Sequence, residues 1–492
     1  MGDVYFTSNP SEFNRLEGLY VSERLPPGFI RGRSLSTVGM AGKCVRGPLT
    51  PQTINSTARF LEVYGGRAYT LAGGTLIGEI WKALINKPFG PIVVRRVAAA
   101  AAATATVNLS NVVPTAIVRV DASSPGLWGV SVTASVEAAT DGDANHFNLR
   151  IKWLGKEVLY KNLNTFTASD DNLLTTIGDD IGNLVVVTKL ANGRPLNIAD
   201  APLLGGTDGA IANTDYQSGL NDLAVEPGVS VVLIPEAGPT PATINGYLVT
   251  IAPTVSDRIF LTWSQVHGNS VAVEAAAVAA QITTRSDRIW WCFNSPYTVD
   301  PDVGTEVQTG PHVWLASILS QIDVDVHPGA FETASYLAGI KRLTNTSLSR
   351  ADLIQLREAG ISTLERLPGL FLFRSVVTTS LVSGLTEGTR RRMADFLLLS
   401  ASDRLRYYVK MKNTAEVRAQ MGGELVAFSK SLKDQTRVIE DFSVDQESVN
   451  TPVQRGQGQE RILWNVNLID HILGLVLEAN IGTGVVIERA AA

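Results

Sequence analysis

Residues 98–205 have a different texture from the sequence on either side, and the interruption they make restricts the possible folds more than any other feature. Before them, residues 20–97 follow an α/β rhythm. "LYVSERLPP" and "LSTVGMAGKCVRGP" read as strands, the second closed by Gly47-Pro48. "TPQTINSTARFLEVYGG" holds a short helix with Ser56 as N-cap and Gly65-Gly66 as its stop. "GGTLIGEIWKALINKPFGP" is a second helix with Leu76, Ile80, Ala83 and Leu84 on one face, and "PIVVRRV" returns to strand. After the alanine tract at 97–105 the chain turns rich in Thr, Val, Asn and Ser, in the runs "TAIVRVDA", "GVSVTASVEA", "FNLRIKWL", "KEVLYKNL" and "NLVVVTKL". Alternation with period two predicts a β-rich insertion, with some helix around 168–183. From about 210 the rhythm resumes: "YQSGLNDLA" helical, "VSVVLIPE" a buried strand, "VAVEAAAVAAQI" a helix and "DRIWWCF" a strand. This order predicts a multidomain α+β or α/β chain, a mixed sheet interrupted by a β-rich insert.

Two later helices carry clear signals. In "SLSRADLIQLREAGI", Ser349 and Asp352 have capping-box spacing and Gly360 supplies the stop. The stretch 386–413 reads as one long helix with Met393, Phe396, Leu397, Leu405 and Tyr408 for the core. It carries Arg390, Arg391, Arg392, Arg404 and Arg406, besides Lys410 and Lys412. Near the C-terminus, Val485, Val486 and Ile487 form a β-branched run that reads as a strand. A lone strand leaves a row of backbone donors and acceptors without partners, so this one needs something to pair with.

Bulk properties narrow the function. The net charge of −5 disfavours a broad hold on nucleic acid. Cys44 and Cys292, far apart and outside any CxxC, fit synthesis in a reducing cytoplasm. The first residues have no apolar signal-peptide core, Phe6 breaks the myristoylation pattern, and the apolar tracts at 97–107 and 471–487 do not predict a membrane span. A phosphate-cradling GxxxxGK[ST], a GxGxxG, an HExxH and a GxSxG elbow are all missing. No cofactor and no metal is expected.

Ser-Asp-Arg recurs at 256–258, 286–288 and 402–404. It reads either as paired ions at one site or, more simply, as polar turns that launch strands. The trio Arg390–Arg392 spreads over about 300° of a helix, so all three cannot point inward. Positive charge at a helix N-terminus opposes the macrodipole, a cost that an acidic surface opposite would offset.

Several stretches together resemble the tail sheath proteins of contractile phages and related injection systems. The stretch "GLYVSERLPPGFIRGRSLSTVGMAGKCVRGPLTPQTINSTARFLEVYGG" is similar to that family's opening: a "GVYVEE"-type strand, a small-residue strand, a "RGP…P" turn and a helix ending in Gly-Gly. "SSPGLWGVSVTASV" resembles its "PG-x-WGN" turn, with Val130 in place of Asn. "GGTDGAIANTDYQSGL" resembles its "GGxDG…Y" stretch, and "LSRADLIQLREAGISTLERLPG" a later helix and strand, with Ser362 where Asn is common. The usual "P..W" stretch is "WCFNSPYTVD" here, and the family's C-terminal ending is absent.

The resemblance implies a conserved mixed-sheet sheath core in two parts, 20–97 and 206–476, the second holding the tube-proximal C-terminal domain. It further implies an outward-facing insert at 98–205 and extended arms at 1–19 and 477–492 that add strands to a small sheet in neighbouring subunits. Leu19, Val21, Val485, Val486 and Ile487 are then the inter-subunit strand residues, and Arg390, Arg391, Arg392, Arg404 and Arg406 a tube-facing basic surface. Implied partners are further copies in a helix of stacked, hexameric rings, the tail tube protein, and baseplate and terminator proteins, with no direct nucleic acid and no membrane insertion. The implied place is a phage virion, assembled in the bacterial cytoplasm. Two rival readings are a hydrolytic α/β enzyme using Asp257, Asp287 and His312, and another self-assembling surface protein.

Overall fold

The computed structural model describes residues 4–6, 19–21, 30–65, 91–166, 171–235, 257–263, 271, 285–299, 305–436 and 438–471. The helices expected at 73–90 and 271–282 and the strand Val485–Ile487 lie outside the described residues, Val271 apart. The chain is mixed α and β with several sheets, and it divides into two compact units: Ser34–Met393, and Met1–Arg33 together with Ala394–Ala492.

The larger unit is built on an eight-stranded sheet in the order Leu370–Ser375, Ile361–Leu367, Ile289–Phe293, Ile259–Trp263, Val231–Leu233, Val38–Lys43, Ile92–Val97 and Gln52–Ile54. The six inner strands are parallel and the outermost strand at each edge is antiparallel. Strands covered on both faces read as unbroken apolar runs, which is why "VVL", "IFLTW" and "IWWCF" are buried throughout. Strand parity sorts the side chains between faces. Val231, Leu233, Ile259, Leu261, Trp290 and Cys292 cluster with the helix Pro311–Leu319. Val232, Phe260 and Ile289 cluster with the helix Asn213–Val225.

Between the strand Ile92–Val97 and the helix Asn213–Val225 the chain makes two antiparallel sheets. One has the order Lys156–Leu163, Phe147–Trp153, Thr133–Ala138, Ile198–Pro202, and the other Val185–Lys189, Ala116–Ala122, Thr106–Ser110. They share an apolar core that includes Ile117, Val120, Val136, Leu149 and Ile151. Each of the five alternating runs holds a strand, although Gly129–Ser131 of "GVSVTASVEA" lie in a 3₁₀ turn and its strand begins at Thr133. Within 168–183 the helix is short, Leu173–Ile177. This segment belongs to the same compact unit as the large sheet.

One expectation needs correction. The stretch 386–413 is not one helix: the α-helix runs Gly388–Leu405, tightens into a 3₁₀ turn at Arg406–Tyr408 and ends, with Lys410 at a φ of 77°. Near the N-terminus, Val4–Phe6 pairs in parallel with Leu19–Val21 of the same chain. A parallel pair needs a crossover of about a dozen residues, and the chain between Phe6 and Leu19 supplies that length.

Candidate functional site

In the smaller unit the end of the helix Gly388–Leu405, the helix Ala415–Ser431 and a two-stranded sheet form one packed group. Thr414 caps the second helix by accepting from Val417 N–H. Glu424 is buried, and both its oxygens accept from Arg404, whose guanidinium lies 4.7 Å from the Tyr407 ring centroid. Phe428 sits between Phe396 and Trp464, at centroid distances of 6.2 and 6.3 Å. The Trp464 indole N–H donates to Ser429 Oγ at 2.9 Å, which fixes the sheet on the helix.

That sheet pairs Ile439–Asp445 with Leu463–Leu468, antiparallel. Along the second strand, exposed Leu463, Asn465 and Asn467 alternate with half-buried Trp464, Val466 and Leu468, so one face packs and the other meets solvent. The connection between the strands is rigidly made: Asn450 accepts from Arg461 N–H at 2.8 Å and donates to Arg461 O at 2.7 Å. Thr451 and Gln454 box the short helix Pro452–Gly456. Among the described residues neither strand has a second neighbour, so within them each has an edge of backbone donors and acceptors that no further strand pairs. Such an edge takes up an extended segment through main-chain hydrogen bonds.

The five arginines do not form one surface. Arg392 is 2% exposed and donates to the carbonyls of Leu319, Ile322 and Asp323 at 2.7, 2.9 and 3.0 Å. It satisfies the carbonyls left at the C-terminal end of the helix Pro311–Leu319, and that burial removes it from any docking face. Burial lowers its pKa to about 10, so it stays charged near neutrality. Arg391 pairs with Asp287 at 3.0 Å, and Arg390 donates to Gly384 O at 3.2 Å. Of the five only Arg406 is exposed. Leu19 and Val21 lie in the strand paired with Val4–Phe6, and Val485, Val486 and Ile487 lie outside the described residues.

The residues of the enzyme reading are not brought together. Asp257 and Asp287 precede their strands and bond Arg258 and Arg391. His312 lies beyond the other end of the sheet, stacked on Trp263 at 5.5 Å with Nε2 on Ile234 O. Six residues of strand separate Asp257 from Trp263, about 20 Å. Of the Ser-Asp-Arg repeats, Arg258 is spent on Leu223 O and Arg288 on Arg258 O, as strand-launching turns require; Ser256 lies outside the described residues. Among the described residues no group of three or more His, Cys, Asp or Glu side chains could hold a metal, and no helix is long and apolar enough to cross a membrane.

Glu424 was not singled out from the sequence. Its signal is a lone acid in "GGELVAF", an acid inside an apolar run on a helix face that needs a cationic partner.

No protein-family model and no curated protein matches the chain. Solved structures do. A sheath tail protein of Desulfitobacterium hafniense is similar over 92% of this chain and 100% of its own, at 15% identity and a TM-score of 0.59. One of Listeria innocua covers 90% and 97%, at 14% identity and a TM-score of 0.62. The fold is that of tail sheath proteins. The sheath fold also covers 94% of this chain and 98% of the anti-feeding prophage helical sheath in its contracted state, at 10% identity and a TM-score of 0.55. At these identities the likeness concerns the fold. Side-chain features such as the Arg404–Glu424 pair belong to this chain's own description of it.

Proposed function

We propose that this chain is a structural, non-enzymatic subunit of a contractile tail sheath. The observation that carries the reading is a sheath fold matched over nine-tenths of the chain. The open-edged sheet of Ile439–Asp445 and Leu463–Leu468 supports it, because a polymer joined by strand addition needs such an acceptor in every subunit. In this reading the arms 1–19 and 477–492, with Leu19, Val21, Val485, Val486 and Ile487, leave their own subunit and pair with that sheet in neighbours. Heterologous contacts of this kind propagate as stacked rings, hexameric here, and helices.

The sheath would surround an inner tail tube, end at baseplate and terminator proteins, and contract as subunits reorient into a lattice that buries more surface. No cofactor, nucleic acid or membrane insertion is needed. Exposed Arg406 is the remaining candidate among the five arginines for contact with the tube protein, and residues 98–205 would face outward. The particle would be a phage tail or a related injection device, assembled in a bacterial cytoplasm.

The test is negative-stain microscopy of the full chain beside a truncation lacking residues 477–492. Rings or tubes from the full chain, with a folded monomer from the truncation, are expected. Compact monomers from both at high concentration would sink the sheath reading.

A further inference from the structure

The motif "PGLWG" at 125–129 has no part in the strand-addition reading, yet its tryptophan is 3% exposed. It stands where the segment 98–205 meets the large sheet, among two buried arginines that come from the sheet side. Arg46, 1% exposed, donates to Asn183 O at 3.0 Å and Gly182 O at 3.1 Å across the junction, and to Glu62 O on its own side. Its guanidinium carbon lies 5.6 Å from the Trp128 ring centroid and 5.3 Å from that of Trp153, and those rings meet edge to face at 5.5 Å. Arg96, 3% exposed, donates to Pro125 O at 2.8 Å across the junction and to Cys44 O and Gly47 O beside it. Gly47 N–H donates to Ser124 Oγ at 3.0 Å, and half-buried Arg59 reaches Asp180 at 3.1 Å.

Among the described residues neither buried guanidinium hydrogen-bonds a carboxylate, although the charge of Glu62 acts on Arg46 and that of Asp208 on Arg96. Each is solvated by carbonyls and, for Arg46, by two indole faces, and a good share of that solvation comes from residues 123–183. A cation taken out of water stays charged only while such dipoles surround it. Lifting 98–205 away from the sheet as an intact body would strip both cations of their cross-junction acceptors while Cys44, Gly47 and Glu62 still enclosed them. Glycine matters here as well: a Cβ at Gly65 would lie 3.0 Å from Trp153 and 3.2 Å from the Arg46 stem, so this close approach needs the bare backbone.

We infer that Arg46 and Arg96 bolt residues 98–205 to the central sheet, so that the segment cannot swing on its two connections and moves with the sheet as one rigid body. This holds for the isolated chain whatever its assembly. In a sheath it means that any outward-facing insert is carried by the core's rotation and not left behind on a tether.

The test is a distance measurement by pulsed electron resonance on the full chain. Nitroxides are placed at Val113→Cys, on an exposed turn of the segment, and Val225→Cys, at the exposed end of the helix Asn213–Val225. Buried Cys44 and Cys292 stay unlabelled. One narrow distance distribution is expected, and it should broaden at least twofold in Arg46→Lys, whose compact ammonium lacks the planar fork that reaches carbonyls on both sides of the junction. A broad distribution in the unsubstituted junction overturns the proposal. An unbroadened one in a folded Arg46→Lys overturns the arginine's role. If Arg46→Lys does not fold, the width with Arg46 intact decides alone.

Discussion

Glu424 takes both arms of one guanidinium: its oxygens lie 2.8 and 2.9 Å from Nη2 and Nε of Arg404, and the Tyr408 hydroxyl donates to the same carboxylate at 2.6 Å. With the carboxylate side chain 5% exposed and the guanidinium 24%, this is a largely desolvated pair. Breaking it from one side leaves a buried charge. Glu424→Ala is expected to cost about 3 kcal/mol, read as a lower urea midpoint at unchanged slope. Burial, and then the bond to Glu424, hold the Tyr408 hydroxyl up at about 12. Between pH 10 and 12 the folded chain keeps this proton while the unfolded chain has released it, so stability falls as pH rises through that window. Tyr408→Phe should make the alkaline fall shallower.

Arg392 and Arg406 should separate cleanly. Arg392→Ala strands the carbonyls of Leu319, Ile322 and Asp323 and opens a cavity, for an expected loss of about 3–4 kcal/mol. Exposed Arg406→Ala is expected to move stability by no more than about 0.5 kcal/mol. In the sheath reading Arg406→Ala weakens the association with tube protein, and pelleting of assembled particles across a salt series would measure it. Equal unfolding midpoints for the two variants would contradict this assignment.

Burial lowers the His312 pKa to about 4, against a smaller upward pull from Ile234 O. The unfolded chain takes up this proton near pH 6.5, well before the folded chain does. Stability tied to His312 is therefore complete above pH 6.5 and is lost as pH falls toward 4, by about 3 kcal/mol in full. Urea unfolding at pH 7, 6, 5 and 4.5 should show that limb. It should be shallower in His312→Phe, whatever that variant's absolute stability.

Gly360 ends the helix Arg350–Glu358 at a φ of 81°, and a Cβ there would meet Thr378 O at 2.8 Å. Gly360→Ala combines left-handed strain with a contact against rigid backbone. A loss of about 2–3 kcal/mol is expected, and thermal unfolding would measure it.

That same helix shows what local signals can reveal. Ser349 Oγ accepts from Asp352 N–H and the Asp352 carboxylate accepts from Ser349 N–H, as the spacing in the sequence predicts. Ser56 and Gly65 likewise cap Thr57–Tyr64 at both ends. Caps and period-two strands are set by neighbours a few residues apart, so a sequence displays them openly. Two helices escaped for opposite reasons. Pro311–Leu319 is buried on every side and so has no apolar stripe to detect. Ala415–Ser431 carries Gly422-Gly423 in its middle, which reads as a turn. In the fold Gly422 lets the Gln446 side chain approach to where a Cβ would stand 2.8 Å away. The burial of Arg392 escaped for a third reason: the carbonyls that bind it, those of Leu319, Ile322 and Asp323, lie some seventy residues earlier, and no local pattern records them.

The large sheet ends at one side in Gln52–Ile54, three residues against a six-residue neighbour, and at the other in Leu370–Ser375, where Arg374 is 56% exposed. A short edge and a charged one are poor templates for a stray strand. The largest sheet thus offers poor edges to another chain, while within the described residues the sheet of Ile439–Asp445 and Leu463–Leu468 has no neighbouring strand at either edge. Stray strand addition to the largest sheet is thereby discouraged, and in the sheath reading pairing can be directed to one defined hairpin.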